Sequence, residues 1–179
     1  GMELMLQSGN VPEENIGQFN FVAGQLAYAA EDYAKARPYF QASADAGYTD
    51  NDPLIFVAES YFAEDQAQQG LTYLSDLINA KVAAGEPVDE AWLKRGLAQA
   101  YNNNLNAEAN KYSSWYVTQY PGEDSWGDAV AILLNTGGYE NPEILDLLRL
   151  GKRVGVLRDG KLYLEYVDAQ DANPLAETQ

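Results

Sequence analysis

The chain of 179 residues contains no cysteine and no histidine. Their absence removes disulfides, thiolate nucleophiles, Ser-His-Asp chemistry and the usual zinc ligand sets. Catalysis is then left to carboxylates, and metal binding to hard cations held by oxygen. Basic residues are scarce, 11 against 27 acids, and the resulting formal charge of −16 repels a nucleic-acid backbone. No apolar run reaches the roughly 18–20 residues of a membrane span, so membrane insertion is not expected. A signal peptide's basic start and apolar stretch are missing too, and the opening Gly1-Met2 reads as a remnant of tag removal. Neither GxxxxGK[ST] nor GxGxxG occurs, which leaves no phosphate-cradling loop. The stretch TDNDP at 49–53 alternates Asp50 and Asp52 like part of a calcium loop, without the glycine or distal glutamate. No cofactor and no metal are expected.

Apolar residues make up 46% of the chain, enough for a continuous core. The charge is unevenly spread. Residues 149–161 carry Arg149, Lys152, Arg153, Arg158 and Lys161 against Asp159, while the rest is acidic. This segment reads as docked on the acidic body, with a separate anion-binding patch as the alternative.

The positive signal is an internal period. Gly24 and Ala58 lie 34 residues apart, and Ala27/Tyr61, Ala36/Gly70 and Phe40/Leu74 share that register. A third unit follows at a longer interval, with Ala98 and Tyr101 repeating Ala58 and Tyr61. Each unit reads as two amphipathic helices: 16–29 with 33–46, 53–64 with 67–84, and 88–102 with 106–119. Pro53, Pro87 and Pro121 mark their ends. Small residues on one helix admit aromatic side chains from its neighbour. The predicted fold class is therefore all-α, an α-solenoid of stacked antiparallel helix pairs.

Beyond Pro121, DSWGDAVAILLNT and NPEILDLLRLG read as an atypical fourth pair, the first capped by Asp124 or Ser125. Residues 154–167 fit either a hairpin turning at Asp159-Gly160 or a helix capped by Asp159. The helix is preferred because it closes a helical stack without an exposed sheet edge. The organisation is then an N-terminal extension (1–15), units at 16–52, 53–87 and 88–121, capping helices at 122–170 and a frayed tail at 171–179.

With this register the chain resembles the tetratricopeptide (TPR) family. Gly24, Tyr33, Ala36 and Phe40 match its pattern in the first unit, and Ala58, Tyr61, Gly70 and Leu74 in the second. Leu97, Ala98, Tyr101 and Pro121 match in the third, where Asn110 and Ser114 replace the expected Ala and Phe. The resemblance covers 16–121 and loosely extends to 150. It implies a right-handed superhelix that binds an extended peptide or partner helix on its concave face. The stretch LDLLRLGKRVGVLRDGKLYLEYVDA is also similar to the ends of uncharacterised TPR-like proteins from alphaproteobacteria. That similarity implies an exported, periplasmic or secreted parent.

Carried over by motif position, the concave face is lined by Phe21, Gln25 and Tyr28, then Ile55, Glu59 and Phe62, then Arg95, Gln99 and Asn102. Aromatic anchors with amides and one charge of each sign suit a peptide's side chains and backbone. Trp92, Trp115 and Trp126 read as packing residues rather than a sugar platform. Asp124 and Asp128, and the Glu86, Asp89, Glu90 cluster, are explained by favourable placement near helix N-termini. The expected function is a non-catalytic protein–protein interaction scaffold. A carboxylate-dependent, glycan-processing helical enzyme and a self-associating structural module are the alternatives.

Overall fold

The computed structural model describes residues 11–120, 126–137, 153–158, 161–166 and 175–177. After a short turn at Glu13–Asn15 come α1 (Ile16–Ala29), α2 (Tyr33–Asp45), α3 (Pro53–Phe62), α4 (Ala67–Ala84), α5 (Glu90–Asn102), α6 (Asn106–Gln119) and α7 (Trp126–Gly137). The first six helices fall within two residues of the ranges read from periodicity. Local chemistry accounts for several of the ends. Asp32 caps α2 by accepting from the Lys35 N–H, Asp89 caps α5 by accepting from the Ala91 N–H, and Pro53 occupies the first turn of α3.

Three inter-helix turns share one construction. Glu31, Asp65 and Asn104 adopt left-handed backbone, with φ of 60°, 57° and 56°. The next N–H in each case, from Asp32, Gln66 and Leu105, donates to the carbonyl of Ala27, Tyr61 and Ala100 at 2.9–3.0 Å. This is the closure of a helix C-terminus by a residue past its end. The three turns place the second unit 34 residues after the first, and the third 39 residues after the second.

The third unit's register is therefore corrected by one residue. Ala100, not Tyr101, repeats Tyr61, and Leu97, not Ala98, repeats Ala58. The mismatch at Asn110 is resolved, because Ala109 takes that place and is buried, whereas Ser113, also buried, still stands where Phe was expected. The interval between the second and third units is longer because α4 runs to Ala84 and residues 85–89 precede α5, while the turns inside the units are alike.

The chain divides into two compact units, Gly1–Ala80 and Lys81–Gln179. In the first, α1 packs on α2 and α2 on α3. Phe21, Ala27, Ala36, Phe40 and Val57 form its core, rimmed by Tyr28, Tyr48, Phe56, Tyr61 and Tyr73. Gly24 is the socket for Phe40: a Cβ there would lie 2.7 Å from the ring. Phe40 in turn stacks on Phe56 at 5.1 Å. Gly70 receives Phe62 in the same way, with the socket now on the second helix of the pair. Polar ties hold the helices in register. Ser43 Oγ donates to the Gly17 carbonyl at 2.8 Å. Arg37 pairs with Glu64 and lies 4.3 Å from the Tyr61 ring centre. Tyr73 donates to Gln41 Oε1 at 2.8 Å, and burial, with Asp45 and Asp52 adding, pushes its hydroxyl well above the ordinary 10.0.

In the second unit α5 packs on α6 and α6 on α7. Gly96 is the socket for Tyr112, whose ring is fully buried. The spacing from Gly96 to Tyr112 equals that from Gly24 to Phe40, although both partners lie one residue earlier in the turn-based register. Leu97 fills the place of the small residue, so socket and knob move back together.

The chain after α7 corrects the preferred helix at 159–167. β1 (Arg153–Arg158) and β2 (Lys161–Tyr166) pair antiparallel with Arg158 opposite Lys161, leaving a two-residue Asp-Gly connection. β3 (Leu175–Glu177), in the segment read as a frayed tail, pairs in parallel with β1, giving the order β2-β1-β3. Paired on both sides, β1 has no open edge, and β2 comes against α7. The sheet's outer edges are those of β2 and β3. The all-helical expectation holds for the elements described up to residue 137. The predicted helix in NPEILDLLRLG and the caps at Asp124 or Ser125 lie outside the described residues, as do the 1–10 extension and the side chains of Trp126 and Asp128.

Candidate functional site

The one-residue correction changes which side chains belong to the candidate face. Positions equivalent to Ile55, Glu59 and Phe62 in the third unit are Lys94, Ala98 and Tyr101, not Arg95, Gln99 and Asn102. Lys94, Ala98 and Tyr101 line a cleft of about 360 Å³ in the second unit. Leu97 and Asn102 of α5, Tyr116 of α6 and Ile132 of α7 complete its described walls. Asn110 Nδ2, 3.2 Å from Thr136 Oγ1, ties α6 to α7.

Tyr28, Phe62 and Tyr101 occupy the same position in successive units, and their environments differ. Tyr28 is half-buried in the ring cluster, 5.0 Å from Tyr33. Phe62 is 8% exposed over Gly70, whereas Tyr101 is 60% exposed. Tyr101 is thus the open member of an aromatic series. Sequence reasoning singled out the residue but placed it at the wrong repeat position.

The other expected lining residues divide by burial. Phe21 is 2% exposed and contacts Phe40, Tyr48 and Phe56. With Phe62 it belongs to the packing, because each ring fills space between helices and offers no face to an incoming chain. Gln25 is exposed, and Ile55 and Glu59 are half-buried. Arg95 is half-buried beside Gln99, whose amide oxygen, turned toward it, accepts from both guanidinium nitrogens at 3.1 and 3.2 Å. Asn102 is exposed at the cleft.

One charged side chain stands among the described lining residues, Lys94. Its ammonium is 2.7 Å from Glu90 Oε1, and the same oxygen accepts from the Tyr116 hydroxyl at 2.7 Å. These two hydrogen bonds, that from Lys94 first, hold the Glu90 carboxyl below its ordinary 4.5. A carboxyl held low in the folded state stabilises it at pH above the unfolded value, and this contribution fades as pH falls through the folded value. The stability gap between the wild type and Glu90→Gln, present at neutral pH, therefore narrows as the solution is acidified below 4.5. Thermal midpoints of both proteins across an acid pH series test this. A gap that stays constant with pH contradicts it.

Trp92, at the start of α5, is buried with Lys81 over its ring at 5.5 Å. Trp115 meets Tyr112 edge-on at 5.3 Å. No group of three or more acidic metal-ligating residues occurs among the described residues, and no helix among them is long and apolar enough to cross a membrane. In comparison with known proteins, no family model, no curated protein and no solved structure matches the chain.

Proposed function

We propose that the chain is a non-catalytic interaction scaffold, a TPR-like right-handed α-solenoid of antiparallel helix pairs that binds a peptide or partner helix along the first helices of its units. The observation that carries this reading is Tyr101. Where the equivalent Tyr28 is half-buried and Phe62 buried, this ring is 60% exposed at the end of α5. Asn102 and Lys94 supply polar contacts beside it, and the apolar cleft lies behind it. A large amphipathic ring held on a rigid helix is the usual form of an interface anchor.

The test uses the chain as bait in a lysate of its source, with mass spectrometry and then calorimetry on the protein captured. Tyr101→Ala keeps the helical circular dichroism and weakens that complex by about ten-fold or more, the effect of losing a central aromatic anchor. Undiminished affinity in the folded variant rules the α5 surface out.

A further inference from the structure

The cleft between α5, α6 and α7 has a chemistry of its own. Its volume of about 360 Å³ lies in the range of small-molecule sites, roughly 300–1,000 Å³. Leu97, Ala98 and Ile132 make it apolar, and Tyr101 and Tyr116 line it as well. Against this background there is one ammonium, from Lys94, in a chain with 27 acids and 11 bases. Glu90, anchored by Tyr116, orients that ammonium. Tyr116 both lines the cleft and donates to the oxygen that holds the lysine, so one side chain shapes the apolar wall and fixes the polar rim.

We infer that this cleft binds a small monocarboxylic acid with an apolar body, its carboxylate pairing with Lys94 and its body lying between Tyr101, Ala98 and Ile132. Glu90 already offsets the single charge of this ammonium, so the ligand's carboxylate shares Lys94 with it, and a dianion such as a phosphate monoester is repelled more strongly than a monocarboxylate. The chain's net −16 does not forbid an anionic ligand, since charges beyond roughly 8 Å are screened at physiological salt. The local pairing therefore decides. This inference shares Lys94 and Tyr101 with the partner reading but needs the cleft, whereas the partner reading needs the exposed side of Tyr101.

The experiment titrates octanoate and 3-phenylpropanoate against the whole chain, with octan-1-ol and octylamine as neutral and cationic counterparts, and follows NMR shifts of α5 and α7. Saturable binding of the acids is expected, tighter than of the alcohol or amine. Lys94→Met weakens the acids by about three-fold, in keeping with a partly exposed ion pair, and leaves the alcohol unchanged. Ala98→Trp fills the cleft and abolishes binding of every probe. Ala98 is exposed, so the variant folds, and Ala98→Leu provides a milder block with weaker binding. Equal affinity for acid, alcohol and amine overturns the carboxylate assignment. Binding that persists in Ala98→Trp, or no saturable binding of any probe, overturns the site itself. None of these outcomes bears on whether Tyr101→Ala loses a protein partner, so the two ideas fail separately.

Discussion

Phe40→Ala destabilises the first unit by about 3–5 kcal/mol, the range found when a fully buried aromatic is cut back to alanine. Phe40 has no exposed surface, and its ring is wedged against Gly24 while touching Phe21 and Phe56. Removing it leaves a cavity that Gly24 cannot fill, because glycine has no side chain to swing inward. Three aromatic contacts, with Phe21, Tyr28 and Phe56, disappear with the ring, and the transfer and cavity losses add. Denaturant unfolding followed by circular dichroism measures the loss. Placing a methyl opposite the void, in Gly24→Ala/Phe40→Ala, returns part of it, since the added Cβ occupies vacated space and alanine favours the helix. A cost below about 1 kcal/mol for Phe40→Ala would show that the ring is not held as described.

The reverse experiment is Gly96→Ala. On an open helix surface this change stabilises by up to about 1 kcal/mol, because alanine is the better helix former. At Gly96 the added Cβ lies 2.6 Å from Cζ of Tyr112, closer than any real contact allows. Tyr112 is fully buried and its ring cannot bend, so the helices must part or the ring must leave its rotamer. Overpacking of this kind costs about 1–3 kcal/mol, which outweighs the propensity gain. The expected outcome is a net loss of up to about 2 kcal/mol, or a thermal midpoint lower by up to roughly 16 °C for a domain-sized unit. Tyr112→Leu clears the socket, and in that background Gly96→Ala becomes neutral or stabilising. A stabilised Gly96→Ala single variant would remove the socket from the account of this fold.

Much of the helical frame is legible in the sequence because its signals are local. Ile16–Ala29 and Asn106–Gln119 coincide with the expected 16–29 and 106–119, and α4 with 67–84. Apolar periodicity, Asp32 and Asp89 as caps, and Pro53 in a first turn act within a few residues of the ends they set. The third unit was misread for an equally local reason. Motif matching favoured Tyr101 as the repeat of Tyr61, because like residues were preferred over equal distance from the turn. The backbone turns carry the true register, and their left-handed residues are Glu31, Asp65 and Asn104 rather than glycine, so no glycine marked them. The hairpin at 153–166 was underrated because the strand that pairs β1's other edge lies far along the chain, in a segment read as tail.

The candidate site separates the two kinds of information. From the sequence alone came the helices, their small and aromatic positions, the absence of thiol and imidazole chemistry, and the acidic charge. These follow from composition and from patterns repeating within a turn or two of helix. Which aromatics would be walls and which would be packing was decided only in three dimensions. Tyr28, Phe62 and Tyr101 share one motif position, and burial depends on what lies opposite: a ring cluster for Tyr28, Gly70 for Phe62, and open space for Tyr101. The meeting of Lys94, Tyr116 and Ile132 around one cleft likewise joins three successive helices. Such proximity arises from tertiary packing, which no periodicity along a single helix encodes.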